Sequence, residues 1–142
     1  MSIKNAYTFD DIALVPQFNN VPSRTEPSLE TWLTKKLKMS QPILCSNMDT
    51  TIGESLAPIL LQEGSIPIFH RFVSFKTQKH WVDKYTDKIF ISCGIQNIDQ
   101  TRQLLDLGAA GVCIDVAHGH SDRMFYFIQE LKRRHPDKEV IA

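Results

Sequence analysis

The chain of 142 residues is long enough for one domain with a buried core, and its hydrophobic fraction of 42% excludes an intrinsically disordered protein. A formal net charge of +0 and a pI near 7.0 give no electrostatic basis for binding nucleic acid or a membrane surface. No apolar run reaches transmembrane length, and three widely spaced cysteines do not suggest a disulfide framework. We therefore expect a cytoplasmic protein.

The first part of the chain has little regular periodicity. We predict that residues 1–40 form an N-terminal segment that packs on a domain formed by residues 41–142. Within the segment, a proline ends the mixed apolar and acidic stretch 7–16, and residues 19–27 are rich in turn formers. Residues 29–37 fit a short strand or a short helix equally well.

From Gln41 onward, short apolar runs alternate with stretches of helical periodicity. The predicted strands are residues 42–46, 66–70 and 88–94, the run from Gly111 that contains Asp115, and residues 139–142. The predicted helices run from Thr51 to about Gln62, from Ser74 onward, from about Asn97 to Gly108, and from about Asp122 to Arg134. Thr51 with Glu54, and Asn97 with Gln100, have the spacing of a capping box.

Strands that recur every 20 to 25 residues with one helix between them indicate βα units on a parallel sheet. Either a doubly wound sheet or a TIM (β/α)₈ barrel fits this α/β pattern. No Gly-x-Gly-x-x-Gly follows the first predicted strand, which weakens the doubly wound, dinucleotide-binding interpretation. A barrel needs about 250 residues, so four βα units and the start of a fifth strand are about half of one. We therefore expect the chain to be incomplete at its C-terminus.

Polar side chains close each of the four predicted strands. The four positions are Ser46-Asn47, His70-Arg71, Ser92-Cys93, and Asp115 with His118. In a parallel barrel these positions converge on one mouth, where ligands bind. Asp115 is the strongest candidate, because a carboxylate in a buried strand is costly unless it is paired or used. A carboxylate at such a strand end typically binds a ribose hydroxyl or an amide.

Other single residues give weaker signals. His118 and His120 could chelate a metal, but no third ligand is in view, and we favour no metal site. Cys93 could be a nucleophile, but a cysteine after a buried strand is more often a small hydrophobic residue. The helix N-termini at Thr51 and Ser121 could hold a phosphate, which is only a suggestion without further ligands.

Five segments of the chain together resemble a known family. They are residues 7–16 (YTFDDIALVP), 23–24 (SR), 46–50 (SNMDT), 70–72 (HRF) and 114–121 (IDVAHGHS). In order and spacing they resemble the N-terminal half of the IMP dehydrogenase/GMP reductase family, and the match covers essentially the whole chain. The resemblance implies a TIM (β/α)₈ barrel, a homotetramer, a purine nucleotide monophosphate as substrate, and NADPH or NAD as cofactor.

The resemblance also implies roles for single residues. Ser46 and Met48 match positions that bind the purine nucleotide. Asp115 and Ser121 match positions beside the nicotinamide cofactor, and His118 lies in the same loop as a further cofactor-binding candidate.

The family's nucleophilic cysteine lies on a loop after a later strand, beside a glycine-rich phosphate site. We therefore expect no catalytic residue within this chain, and Cys45, Cys93 and Cys113 are not assigned that role. A monovalent cation would also be bound by the other half of the barrel.

The choice within the family rests on the spacing of the second and third barrel strands. IMP dehydrogenases usually carry a pair of CBS modules there, whereas here 18 residues and one helix separate His70 from Ile89. This favours GMP reductase, as do residues 23–24 and 70–72. Residues 117–121 also resemble bacterial dehydrogenases, and some dehydrogenases lack the modules, so IMP dehydrogenase stays an alternative. A non-catalytic half-barrel that binds nucleotide or self-associates is the second alternative.

Overall fold

A computed structural model describes residues 4–142 as a small antiparallel hairpin and a parallel sheet flanked by helices. The strands are β1 Thr31–Trp32, β2 Lys38–Met39, β3 Ile68–Phe69, β4 Phe90–Cys93, β5 Gly111–Ile114 and β6 Glu139–Ile141. The helices are a 3₁₀ turn at Phe9–Asp11, then α1 Ala57–Gln62, α2 Phe75–Lys84, α3 Ile98–Asp106 and α4 Asp122–Arg134. No helix among the described residues is long and apolar enough to span a bilayer.

The parallel sheet follows the order of the chain. Its four strands run β3-β4-β5-β6, and each neighbouring pair is parallel. One helix connects each pair, and α3 contacts both α2 and α4, so these three helices form one layer. A doubly wound sheet instead reverses its strand order and carries helices on both faces. The α/β arrangement therefore fits part of a TIM barrel.

The core lies between the sheet and this helical layer. Phe69, Ile91 and Val112 share one register row, and all three are fully buried. They belong to the same apolar cluster as Trp81 of α2 and Leu104 of α3. Because side chains alternate along a strand, this row faces the helices and the next row faces the opposite side of the sheet.

The opposite face depends on a close contact between two strands. Phe90 and Gly111 are register partners, and a Cβ atom built at Gly111 would overlap the Phe90 ring and the Glu139 carbonyl. Glycine at 111 therefore leaves room for an aromatic ring to lie across β5.

Three of the predicted helix starts are confirmed at their caps. Ser74 Oγ accepts a hydrogen bond from Thr77 N at 3.2 Å, and Asn97 Oδ1 accepts one from Gln100 N at 3.2 Å. Ser121 Oγ accepts one from the third residue of α4 at 3.4 Å. Each cap satisfies a backbone N–H that has no partner within its own helix.

The predicted start of the first helix is wrong. Helix α1 begins at Ala57, with Pro58 in its first turn, where proline is tolerated. Glu54 does not form a capping box with Thr51; its carboxylate accepts hydrogen bonds from Trp81 Nε1 at 3.2 Å and Lys84 Nζ at 2.9 Å. The Glu54 side chain therefore joins the segment before α1 to α2 and does not cap a helix.

The first predicted strand, residues 42–46, is also wrong, since the structure assigns no regular element there. The segment is instead attached to the start of the sheet by Ser65 Oγ, which donates to the Ile43 carbonyl at 2.7 Å. Pro42 has no N–H for a strand ladder, and β3 has only two residues in its own ladder. The other three predicted parallel strands are confirmed, and so is the beginning of the strand at Glu139.

The residues before the sheet form two distinct parts. Residues 4–30 are exposed throughout, including Phe9 and Phe18, and their packing partner stays a prediction. Residues 29–37, which fitted either element, contribute to the hairpin β1–β2. Ser40 N donates to the Gly64 carbonyl at 2.9 Å, and Lys36 Nζ lies 3.2 Å from Asp137 Oδ1. The hairpin thus crosses the amino-terminal end of the sheet.

Candidate functional site

An ion pair lies at the carboxyl end of the sheet. Arg71 follows β3 and Asp115 follows β5, and Arg71 Nε donates to Asp115 Oδ2 at 3.1 Å. The Asp115 backbone N–H donates to the Cys93 carbonyl at 2.8 Å, which fixes the position of the residue at the end of its strand. The two side chains are 39% and 33% exposed, so a ligand can reach them. The carboxylate predicted to be costly is therefore paired and accessible.

Two aromatic rings hold the residues around Arg71. The Arg71 guanidinium lies over the Phe72 ring at 4.7 Å, and His70 Nδ1 accepts a hydrogen bond from Phe72 N at 3.3 Å. The buried His70 ring also meets Trp81 edge-on at 5.4 Å between centroids. These contacts help to position the segment 70–72, from which the Arg71 side chain reaches Asp115.

The segment before α1 reaches the same end of the sheet. Asn47 Nδ2 donates to Ser92 Oγ at 2.7 Å, and Ser92 lies on β4 with no solvent exposure. The predicted nucleotide-binding residues flank Asn47: Ser46 is exposed, and Met48 is 51% exposed. Both side chains are therefore available to a ligand.

A cavity of about 290 Å³ opens beside the ion pair, next to the first turns of α2 and α3. Arg71 and Asp115 form part of its wall, and the uncharged polar lining residues are Gln78, Ser92, Gln96, Asn97, Gln100 and Thr101. Side chains of this kind can donate and accept hydrogen bonds without adding net charge. The cavity therefore suits an uncharged polar group such as a ribose or an amide.

The thiol in the cavity wall is a poor nucleophile. Burial raises the pKa of Cys93 to about 11, with smaller opposing effects from Thr101 and Arg71. Burial also raises the pKa of the Cys113 thiol on the neighbouring strand. A thiol with a raised pKa is protonated at neutral pH and reacts slowly. Both cysteines therefore stay without a catalytic assignment.

The remaining predicted cofactor residues lie on the loop between β5 and α4. Ser121 is the N-cap of α4, so its oxygen is engaged by the helix while its O–H can still donate. His118 is exposed, and within residues 4–142 its side chain makes no hydrogen bond. No hydrogen bond among the described residues joins either of them to Ser46 or Met48. The structure thus brings Asp115 together with Arg71, and the roles of these predicted residues stay predictions.

The sequence interpretation gave no individual role to Arg71, Asn47 or Gln78. Gln78 Nε2 donates to the Ser92 carbonyl at 3.1 Å, so Ser92 receives hydrogen bonds from two other segments. A signal was present in the sequence, since Ser92 places a hydroxyl within an otherwise apolar buried strand. Such a hydroxyl needs a partner. The partner itself lies 45 residues away and has no local signature.

Within residues 4–142, no three His, Cys, Asp or Glu side chains cluster closely enough to hold a metal ion. His120 is instead in edge-on contact with Phe125 of α4, at 5.8 Å between ring centroids.

The described part of the chain is an α/β domain, and its polar groups gather at the carboxyl ends of the parallel strands. The sequence profile described as "IMP dehydrogenase / GMP reductase domain" matches residues 6–142. The chain therefore belongs to the IMP dehydrogenase/GMP reductase family.

The chain is similar both to GMP reductases and to IMP dehydrogenases. The GMP reductase of Bacillus subtilis (strain 168) is 35% identical over 149 residues, which cover 99% of this chain and 44% of that protein. The GMP reductase of Helicobacter pylori (strain ATCC 700392 / 26695) is 32% identical, covering 100% of this chain and 45% of that protein. The inosine-5'-monophosphate dehydrogenase of Borreliella burgdorferi is 26% identical, covering 98% of this chain and 48% of that protein. The chain thus spans just under half the length of these relatives.

Proposed function

We propose that this chain supplies the first half of the catalytic barrel of a purine nucleotide oxidoreductase, and that the complete enzyme is a GMP reductase. In this reaction GMP and NADPH give IMP, ammonia and NADP. The observation that carries the choice is the short connection between β3 and β4. It holds the single helix α2, and GMP reductases that match 99% to 100% of the chain are 32% to 35% identical to it, against 26% for the dehydrogenase that matches 98%.

The nucleotide half of the proposal rests on the turn before α1. Ser46 offers a hydroxyl that can bind a polar edge of the nucleotide, and Met48 offers a flexible apolar surface for the purine ring. Both residues are exposed at the end of the sheet where Arg71 and Asp115 meet.

The cofactor half of the proposal rests on Asp115 and the cavity beside it. A carboxylate at this position can accept hydrogen bonds from ribose hydroxyls or from a carboxamide. The cavity of about 290 Å³ is smaller than a dinucleotide, so it fits one portion of the cofactor, with His118 and Ser121 binding along the loop outside. A bound nicotinamide cofactor supplies the hydride for the reductase reaction, while these residues hold and orient it.

The nucleophilic cysteine of the proposed reaction is a residue of the other half-barrel. A thiolate attacks the purine carbon that bears the amine, and ammonia leaves. Cys93, with its pKa raised to about 11, does not suit this step. We further propose that the complete enzyme is a cytoplasmic homotetramer, with any monovalent cation bound outside this chain.

Two alternatives have observations in their favour. Dehydrogenases of Aquifex aeolicus and Nitrosopumilus maritimus are 43% and 36% identical over 82 and 84 residues, which favours IMP dehydrogenase along part of the chain. That enzyme would pass a hydride from IMP to NAD, with water completing XMP. A non-catalytic half-barrel that self-associates would use β3, whose edge is open in the described sheet.

Turnover assays distinguish the three functions. The full-length protein that carries this chain is assayed with GMP plus NADPH, and separately with IMP plus NAD. We expect oxidation of NADPH with release of ammonia in the first assay only. Turnover in the second assay alone would make the protein a dehydrogenase. Nucleotide binding without turnover in either assay would support the non-catalytic module.

A further inference from the structure

The turn that carries the proposed nucleotide contacts is attached to the sheet through its central residue. Met48 N donates to the Ser46 carbonyl at 2.9 Å, which makes a three-residue turn with Asn47 at its apex. Asn47 is partly buried and donates to Ser92 Oγ at 2.7 Å, whereas Ser46 and Met48 are exposed. The apex side chain therefore faces the sheet, and the two flanking residues remain available to a ligand.

Ser92 is built to receive this contact. It is fully buried on β4 between apolar residues, and its carbonyl is separately engaged by Gln78 at 3.1 Å. A buried hydroxyl without a hydrogen-bond partner would destabilise the fold. An apolar side chain of similar size would carry no such cost. The hydroxyl is explained by the amide of Asn47, which donates a hydrogen bond to it.

Few other contacts fix the orientation of the turn. On one side, the Ile43 carbonyl accepts from Ser65 Oγ at 2.7 Å. On the other, Ile52 is 1% exposed in the core. Between these two anchors, Asn47 to Ser92 is the one side-chain hydrogen bond to the sheet among the described residues. The backbone N–H groups of Thr51 and Ile52 both donate to the Met48 carbonyl at 3.0 Å, so they respond to any movement of the turn.

We propose that Asn47 and Ser92 are positioning residues, which hold the turn 46–48 in the orientation that binds the purine nucleotide. This inference rests on the proposed function, because it gives the turn a ligand. Neither residue contacts the nucleotide; both act through Ser46 and Met48. Ser92 is the register partner of Cys113 on β5, two residues before Asp115. The turn is therefore anchored next to the strand that leads to the proposed cofactor carboxylate.

The test combines hydrogen exchange with nucleotide titration on the full-length protein and on its Asn47→Ala variant. We expect the amides of Met48, Thr51 and Ile52 to exchange roughly fivefold faster or more in the variant. The affinities for GMP and for IMP, measured by calorimetry, should fall by a similar factor. Asn47→Asp replaces the amide donor with an acceptor for the Ser92 O–H, and its exchange and affinity should lie between those of Asn47→Ala and the wild type.

Ser74→Ala is the matched control, since it removes one hydrogen bond from the N-cap of α2, away from the turn. It should change neither the exchange of the turn nor the nucleotide affinity. Unchanged exchange in Asn47→Ala, or faster exchange with unchanged affinity, would overturn the positioning role. If the wild type binds neither GMP nor IMP, the proposed function fails, while the exchange data still decide whether Asn47 anchors the turn.

Discussion

Arg71 and Asp115 form an ion pair across the carboxyl end of β4, the strand that lies between β3 and β5. Arg71 directly follows β3 and Asp115 directly follows β5. The 3.1 Å contact between Arg71 Nε and Asp115 Oδ2 therefore spans the end of β4. The pair closes one side of the cavity whose wall includes Cys93 and Gln78. Because both side chains remain partly exposed, a ligand can replace one partner of the pair without breaking a buried contact.

The first prediction concerns the charge of Asp115. In the full-length protein, Asp115→Asn keeps the size of the side chain and removes its charge. If Asp115 orients the cofactor, turnover should fall at least tenfold, about 1.4 kcal/mol of transition-state stabilisation. Stability in urea should change little, because a partly exposed ion pair contributes only about 0–1 kcal/mol. Asp99→Asn, which removes the charge of an exposed carboxylate that pairs with the mostly buried Arg102, is the control. A fully active variant, or one that unfolds, would contradict the cofactor role.

The second prediction concerns the hydroxyl of Ser46. Ser46→Ala should weaken nucleotide binding by roughly 1 kcal/mol, the size of one hydrogen bond, and should affect cofactor affinity less. Titration calorimetry with GMP, and separately with NADPH, measures both. Ser55→Ala, an exposed serine just before α1, serves as the control. Equal weakening of both ligands would give Ser46 a general structural role.

The third prediction concerns Cys93. With its pKa raised to about 11 by burial, the thiol should stay protonated and resist alkylation in the folded protein. The partly buried Cys45 should react first, and Cys93 only on unfolding, as mass spectrometry after iodoacetamide treatment can follow. Cys93→Ala should retain turnover in the full-length protein. Rapid labelling of Cys93, or loss of the chemical step in the variant, would make it a candidate nucleophile.

The fourth prediction concerns pH and His135, the C-cap of α4. Its side chain is 9% exposed, and its buried Nε2 has no hydrogen-bond partner among residues 4–142. Burial lowers its pKa despite Asp106, whose Oδ1 lies 3.7 Å from Nδ1. With the folded pKa below the unfolded value of about 6.5, the unfolded chain binds more protons in acid. Stability should therefore fall as pH drops below about 6.5.

Urea midpoints on either side of that pH test the point. His135→Asn should reduce the decrease in urea midpoint that occurs as the pH falls below about 6.5. His80→Asn, on the exposed side of α2, controls for the removal of an imidazole. An unchanged acid slope in His135→Asn would show that other groups cause the loss.

The fifth prediction concerns the contact between Gly111 and Phe90. Gly111→Ala should destabilise the fold by about 1–3 kcal/mol, because the added methyl group overlaps the Phe90 ring and the Glu139 carbonyl. Gly53→Ala, where no atom lies within 4 Å of the added carbon, should change stability far less. Equal urea midpoints for the two variants would contradict the packing described for β5.

The features that the sequence predicted correctly depend on local chemistry. Ser74, Asn97 and Ser121 cap helices because each accepts from an N–H three residues ahead, and that spacing can be read along the chain. The parallel strands from β3 onward were likewise marked by apolar runs.

The features that were missed depend on partners far away in sequence. Glu54 has capping-box spacing, yet its carboxylate binds α2, 27 and 30 residues later. Arg71 meets Asp115 across 44 residues, a pairing that no local pattern specifies. Sequence reasoning could therefore place candidate residues at one end of the sheet, but not the hydrogen bonds between them.

The hairpin β1–β2 also sets an order of folding. Its bond to Gly64 can form as soon as α1 is made, but Lys36 meets Asp137 only across 101 residues. At a synthesis rate of about 5–20 residues per second, the hairpin waits roughly 5 to 20 seconds for that second attachment. Closing so long a loop is entropically costly, so the contact between the hairpin and the turn before β6 forms late. The hairpin is therefore synthesised well before the second of its two attachments can form.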